Sequence, residues 1–340
     1  MIAEQLISKY PAIDFHTHLG LWEARGLPPG EDRLSTYIGD ERVIENVSAM
    51  LRAGLRAGWT NITSDVPIIK LGAPGNRSRD FEPGEAWSEY KRLIGNLHEL
   101  LELMPAEIVE TPADLDRVAA KGKLGLFLST EGGHMIEQDL SRLETMRADG
   151  VTKFQPIHFA HCILGDAQTD PVTYGGMSDL GKTAVKAAHE LGMVIDCAHA
   201  TLAATRDIAE VTGAPIVISH GLMRFGDGES GNSRWLSREH VQLVAETGGM
   251  IGTWCPRAPH GAENEEQFID AVMAMIDAVG IDHVGWATDH IDAGMGEWLM
   301  EYEQFPQVCA KLIEAGLTED DMQKFLCGNA LRMMDRSACA

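Results

Sequence analysis

Short apolar, β-branched runs alternate along the chain with segments of helical periodicity. Eight runs read as strands: 11–18 (PAIDFHTH), 60–67 (TNITSDVP), 124–131 (LGLFLSTE), 152–158 (TKFQPIH), 193–199 (MVIDCAH), 215–220 (PIVISH), 250–255 (MIGTWC) and 283–289 (HVGWATD). Most are nearly continuous in apolar residues, the pattern of strands covered on both faces. Between them, ERVIENVSAMLRAG (41–54) places Val43, Ile44, Val47, Met50 and Leu51 at helical spacing. DLGKTAVKAAHELG (179–192) and ATRDIAEVTG (204–213) behave alike, and each segment ends in a glycine suited to a C-cap. Strands alternating with helices imply a parallel sheet, and eight such units imply a closed (β/α)8 TIM barrel, one domain over 1–340. No repeat, low-complexity tract or linker interrupts the pattern. Four loops rich in Gly, Pro or Asn follow strand ends, at 71–87, 161–176, 221–233 and 256–265. In a barrel they gather at the C-terminal mouth, where active sites form.

Composition narrows the partners. At 340 residues the length alone suggests two domains, but α/β barrels commonly exceed one average domain. The formal net charge of -23 repels nucleic acid and anionic lipid, so neither is expected as a partner. The start, MIAEQLISKY, does not read as a signal peptide, and no apolar run approaches the roughly 20 residues that span a bilayer. Cys162, Cys197, Cys255, Cys309, Cys327 and Cys339 are scattered without a C-x-x-C pair, which reads as reduced thiols in the cytoplasm. Sixteen methionines and apolar helices permit a homodimer without requiring one.

The strand ends carry the chemistry. His16 and His18 close the first strand, Glu131 the third, His158 the fourth, His199 the fifth, His220 the sixth and Asp289 the eighth. A barrel points all of these ends to one rim. Polar groups gathered in a buried place are costly unless paired or bound to metal. Residues i and i+2 of a strand share a face, so His16 and His18 can grip one ion together. Imidazole and carboxylate suit zinc first, with iron, manganese or cobalt also compatible. The six candidate ligands His16, His18, Glu131, His199, His220 and Asp289 exceed one tetrahedral site, which argues for two divalent ions bridged by Glu131. Two ions at such a site can hold a hydroxide between them as a nucleophile.

The segments STEGGHMIEQDLSRLETMRADGV, LGMVIDCAHA, GAPIVISHG, TGGMIGT, HVGWATD and GNALRMM recur in the order found in the membrane (renal) dipeptidase family, which the chain resembles. IDFHTH matches that family's first metal motif, and residues 20–120 match only loosely. The family is a branch of the metal-dependent amidohydrolases. The resemblance implies that His16 and the residue two further on hold one ion, that Glu131 bridges, and that His199 and His220 hold the second. It implies that Asp289 handles protons, that His158 polarises the substrate carbonyl, and that Arg234 grips the substrate's carboxylate. It departs at His18, where the family usually has aspartate, and at Arg234-Trp235, where the family has R-N. The implied activity is hydrolysis of an amide bond in a dipeptide or N-acyl amino acid. The alternatives are a related enzyme acting on a lactone, cyclic amide or other small carboxylate, and a metal-binding barrel without activity.

Other polar residues have simpler readings. His161 caps a strand end, and His134 either packs or supports a ligand. Asp196 either orients His199 from behind or is solvated, and Asp14 and His290 fall in the same class. His98, His189 and His240 lie in helical segments and read as surface residues, and His283 starts its strand at the wrong end for chemistry. FGDGESG lacks the phosphate-loop pattern, and no G-x-S-x-G elbow occurs.

Overall fold

The computed structural model describes residues 2–28, 37–223, 234–254, 262, 264–290 and 301–335. Its strands are β1 (Ala12–Thr17), β2 (Leu55–Thr63), β3 (Ala106–Ile108), β4 (Leu124–Glu131), β5 (Val151–Gln155), β6 (Val194–Ile195), β7 (Val217–Gly221), β8 (Met250–Thr253) and β9 (Val284–Trp286). All pair in parallel, in one ladder of order β1-β2-β4-β5-β6 with β3 beside β4, and a second of order β7-β8-β9. Parallel neighbours need crossovers, and helices supply them. The chain is thus an α/β fold built on a curled parallel sheet.

Each run read as a strand contains or overlaps one strand, with β4 matching 124–131 in full. The second begins earlier than the pattern suggests, at Leu55, because the chain turns straight out of the helix Asp40–Arg52 into the sheet. It ends before Asp65, whose carbonyl accepts from the amides of Ile68 and Ile69 in a turn. β3 is absent from the sequence reading, since three residues carry no detectable period. β2 occupies one edge of β4 from Gly125 to Glu131, so β3 and β5 share the other edge in succession.

Between the ladders the strand pairing is reduced to isolated bridges among the described residues. Asp196 bridges Val217 in parallel, with the Cys197 amide donating to the Val217 carbonyl at 2.7 Å. Thr17 bridges His290, and the Asp289 amide donates to the His16 carbonyl at 2.9 Å. One buried cluster takes Ile13 and Phe15 from β1, Trp59 from β2, Phe127 from β4, Val217 from β7 and Met250 from β8, so both ladders pack on a common interior. Its rings interlock edge to face, with Phe15 and Trp59 centroids 4.6 Å apart.

Several helices start where a short polar side chain caps them. Ser178 accepts from the Gly181 amide and Thr201 from the Ala204 amide, opening Asp179–Glu190 and Leu202–Thr212. Gly213 closes the latter in the left-handed conformation that glycine adopts freely. Two of the expected rim loops, 221–233 and 256–265, lie mostly outside the described residues. The other two are joined: Asn76 Nδ2 donates to the Thr169 carbonyl at 2.9 Å, and the His161 amide donates to that of Gly75 at 2.9 Å.

Candidate metal centre

The strand-end residues converge. His16, His18, Glu131, His158, His199 and His220 are all buried, and Asp289 is 19% exposed at the edge of the group. Glu131 stands in the middle. Its Oε1 lies 3.5 Å from His16 Nε2, 3.2 Å from His199 Nε2 and 3.6 Å from His220 Nε2. Its Oε2 lies 3.2 Å from His18 Nε2 and 3.5 Å from His158 Nε2. Asp289 Oδ1 is 3.5 Å from His16 Nε2 and 3.2 Å from His18 Nε2. His199 and Asp289 reach these positions with φ of 65° and 54°, a left-handed backbone that non-glycine residues seldom adopt.

Three overlapping triads have ligand atoms within 4.8 Å of one another: His16–His220–Asp289, His16–His18–Glu131 and Glu131–His199–His220. The donor chemistry fits a divalent cation. His16 Nε2 is buried without a hydrogen-bond partner among the described residues, yet two carboxylate oxygens face it. His199 Nε2 and His220 Nε2 face each other at 3.0 Å. Lone pairs aimed into one dry space are what a cation relieves.

Burial sets the charge states. It pushes His199 down to about 3, assisted by the nearby Arg234 charge, and holds His220 well below the ordinary imidazole range, assisted by His16. Both rings are therefore neutral, the form that ligates metal. Burial opposes ionisation of Glu131, but the imidazoles of His158, His16 and His18 overcome it and hold the carboxyl well below its usual range.

A second layer holds the rings. His18 Nδ1 meets Glu23 Oε1 at 2.5 Å. His158 Nδ1 meets both oxygens of Asp65, at 2.8 and 3.0 Å, and Asp65 also accepts from the Ala160 amide. Ser219 Oγ lies 3.0 Å from Nδ1 of both His16 and His220. Such partners fix the rings of His16, His18 and His220 with Nε2 toward the candidate metal site, and Asp65 orients His158. Sequence reasoning misses all three. Asp65 has a signal, since it follows the second strand as the ligands follow theirs. Glu23 and Ser219 have none, because their partners are set by tertiary packing.

Arg234 is buried near the centre. Its guanidinium lies 5.9 Å from the Phe159 ring centroid and 5.1 Å from that of Trp254, and Nη1 donates to Gln168 Oε1 at 2.9 Å. Burial lowers its pKa to about 10, which leaves it cationic at neutral pH, and the Asp289, Glu131 and Asp196 charges counter the drop.

Other expectations change. Asp196 does not touch His199. It accepts from Lys153 Nζ at 3.0 Å and from the Ser219 and Ala198 amides at 2.9 and 3.0 Å. Asp14 accepts from Thr288 and from the Tyr302 hydroxyl, which fastens the C-terminal part of the chain under the site. His134 packs, its Nε2 against the Ala160 and His161 carbonyls, and His161 pairs with Asp170 at 2.9 Å. His240 is not a surface residue: it is 3% exposed, and its Nε2 meets Thr205 Oγ1 at 2.8 Å, because its helix turns that face inward. His98 is exposed and His189 half-buried, as read from their helices. Cys162, Cys197, Cys309 and Cys327 are buried free thiols, while Cys255 and Cys339 lie outside the described residues. No helix among the described residues is long and apolar enough to cross a membrane.

Known proteins give the same architecture. The chain is 24% identical over 340 residues to dipeptidase verJ of Clonostachys rogersoniana, covering 98% of this chain and 86% of that one. Its fold is similar to that of the probable dipeptidase PvdM from Pseudomonas aeruginosa, at a TM-score of 0.78 and 22% identity over 98% and 96% of the two chains. It is also similar to a metallo peptidase from Rhodobacter sphaeroides solved with a phosphinate mimic of the dipeptide L-Ala-D-Ala, at a TM-score of 0.76 and 18% identity over 96% and 99%. Residues 73–339 match the family described as membrane dipeptidase (Peptidase family M19), a range that starts after the first histidine pair and takes in every other strand-end ligand. The chain belongs to the membrane dipeptidase family, Peptidase family M19, and is a metal-dependent, dipeptidase-like hydrolase of peptide bonds.

Proposed function

We propose that the chain hydrolyses the amide bond of a dipeptide or N-acyl amino acid bearing a free carboxylate, at a centre of two divalent ions, zinc first among them. The observation that carries this reading is Glu131, one buried carboxylate at the centre of five imidazoles, with Oε1 facing His16, His199 and His220 and Oε2 facing His18 and His158. His16, His18 and Asp289 would hold one ion, His199 and His220 the other, with Glu131 between. When bound, the ions would supply a water acidic enough to ionise near neutral pH and a Lewis acid for the carbonyl. The two ladders are read as arcs of one closed (β/α)8 barrel, a single domain, supported by the bridges at Asp196–Val217 and Thr17–His290 and by the shared interior.

The side chains divide the work. Asp289, at the edge of the site, takes a proton from the attacking water and delivers it to the departing nitrogen. The C–N bond breaks as the new C–O bond is kept, giving an acid and an amine. His158, its Nδ1 held by Asp65, presents Nε2 to the oxygen that gains charge. Arg234, set near Phe159 and Trp254, grips the substrate carboxylate with its planar fork. The dipeptide mimic bound by the Rhodobacter sphaeroides relative is a ligand of the same class. The buried thiols favour a reducing compartment, the cytoplasm.

The test is metal content per chain followed by activity on L,L and L,D dipeptides, N-acyl amino acids and lactones. Two ions per chain and turnover confined to carboxylate-bearing amides support the reading. A metal-loaded protein that opens lactones and leaves every amide intact overturns it.

A further inference from the structure

Glu23 is fully buried, and the only side chain hydrogen-bonded to its carboxylate among the described residues is a metal-facing imidazole. The backbone is bent to bring it there. Leu19, Gly20 and Leu21 all take positive φ, at 49°, 85° and 56°, and curl the chain back so that a residue five positions after His18 meets its Nδ1. A Cβ on Gly20 would stand 2.7 Å from Asn46 Nδ2, so the turn requires glycine. The short turn Trp22–Ala24 is then anchored, with Trp22 Nε1 donating to Thr60 Oγ1 at 3.0 Å and Arg92 Nη2 to the Glu23 carbonyl at 2.7 Å. His18 Nε2, on the other side of the ring, looks at Glu131 Oε2 and Asp289 Oδ1 at 3.2 Å each.

The four rings differ in what they meet through Nδ1. His16 and His220 share the neutral hydroxyl of Ser219, and His199 Nδ1 has no hydrogen-bond partner among the described residues. Of the imidazoles assigned to ions, His18 stands apart among the described residues in meeting a carboxylate through Nδ1. A neutral imidazole brings no charge to a cation, but one that donates its N–H to a buried carboxylate shares that charge across the ring. We propose that Glu23 is a positioning residue for the ion held by His16, His18 and Asp289: the His18–Glu23 pair acts as a single anionic ligand, which makes this ion depend on Glu23 while the ion at His199 and His220 does not. This rests on the two-ion reading above.

The test is metal content of the purified full-length protein, by elemental analysis after dialysis against graded dipicolinate, for the wild type, Glu23→Gln, Glu23→Asp, His18→Asp and the double variant His18→Asp/Glu23→Gln. The wild type is expected to hold two ions where Glu23→Gln holds one, with the lost ion bound roughly 10- to 100-fold more weakly. Glu23→Asp is expected to recover part of the loss. In the His18→Asp background the effect reverses, because Glu23 then faces a like charge, and adding Glu23→Gln leaves binding equal or tighter. Thermal unfolding of metal-free Glu23→Gln is expected to match or exceed that of the metal-free wild type, since a buried carboxyl is removed. The proposal is overturned if Glu23→Gln keeps both ions at wild-type affinity, loses both equally, or weakens binding as much in the His18→Asp background as in the wild type. A wild type that binds no ion overturns the two-ion reading itself and the proposal with it.

Discussion

His16 and His220 are tied by one oxygen, that of Ser219, which lies 3.0 Å from Nδ1 of each ring. A hydroxyl oxygen has two lone pairs and can accept both Nδ1–H groups at once. That arrangement fixes both rings in the tautomer with a free Nε2, and both Nε2 atoms face Glu131 Oε1. The ring centroids are only 3.9 Å apart, so neither ring can turn without the other. Ser219→Ala is therefore expected to weaken metal retention roughly tenfold or more while leaving the fold intact, as read by chelator competition alongside circular dichroism.

Asp65 orients the His158 ring. Against the effect of burial, its carboxylate and that of Glu131 raise the ring's pKa, so that the charged ring can donate from Nε2 as well as Nδ1. Asp65→Asn is expected to lower kcat roughly 10- to 100-fold with a smaller change in KM, because the ring loses its orientation and not its place. His158→Asn is expected to cost more, about 100- to 1,000-fold in kcat, the scale for removing a donor to a developing oxyanion. Steady-state kinetics on one good dipeptide compare the two. A His158→Asn enzyme with unchanged kcat would remove this residue from the chemistry.

The Arg234 guanidinium lies near two aromatic rings and donates to Gln168, contacts that hold it in the wall of the site. Arg234→Ala is expected to cut kcat/KM roughly 100-fold for carboxylate-bearing substrates. It should leave a C-terminally amidated dipeptide, already a poor substrate, almost unchanged. Equal losses on both would mean that the arginine supports the wall and does not read the carboxylate.

The legible part of this molecule is the part that repeats. Strands that run apolar and then stop on His, Glu or Asp reveal the residues that converge, because each lies at or just past the C-terminal end of its own strand. Glu131 is the clearest case, the last residue of a strand found at its full length. What the sequence hides is pairing across the fold. Nothing near Glu23 in the chain says that a left-handed turn returns it to His18, and nothing near Asp196 says that Lys153, a buried lysine, claims it in place of His199. His240 departs from its reading as a surface residue because a helix in a layered α/β fold has an inward face as well as an outward one, and a single histidine does not announce which it occupies.

Lys153 predicts a stability effect distinct from the metal. Its ammonium lies 3.0 Å from Asp196 and 5.0 Å from the Phe15 ring, with both charges fully buried. Lys153→Met leaves Asp196 uncompensated and is expected to cost about 3–5 kcal/mol. Pairing it with Asp196→Asn should restore part of that. Urea unfolding of the metal-free proteins reads both.

His240 predicts an acid limb. Burial, with Arg234 and Arg206 adding to it, lowers its pKa from the ordinary 6.5 to about 4. The folded state thus binds this proton less readily than the unfolded state, so the neutral ring's contribution is complete above pH 6.5 and is lost as pH falls toward 4. By linkage the loss reaches roughly 3 kcal/mol at the acid end. His240→Asn is expected to flatten the fall of stability between those pH values by up to one proton. Urea midpoints of the metal-free wild type and variant, measured across that range, give the slope difference. Parallel slopes would show that His240 protonates freely in the folded protein.

Among the described residues, strand pairing between the two ladders is reduced to isolated bridges, Asp196 against Val217 and Thr17 against His290. His16, His18, Glu131 and His199 stand on one side of those bridges, and His220 and Asp289 on the other. Any cation gripped by both groups is therefore a rivet driven through the joint. Under the two-ion reading the same ions would serve the chemistry and the joint, so stripping the metal is expected to loosen the fold as well as abolish turnover.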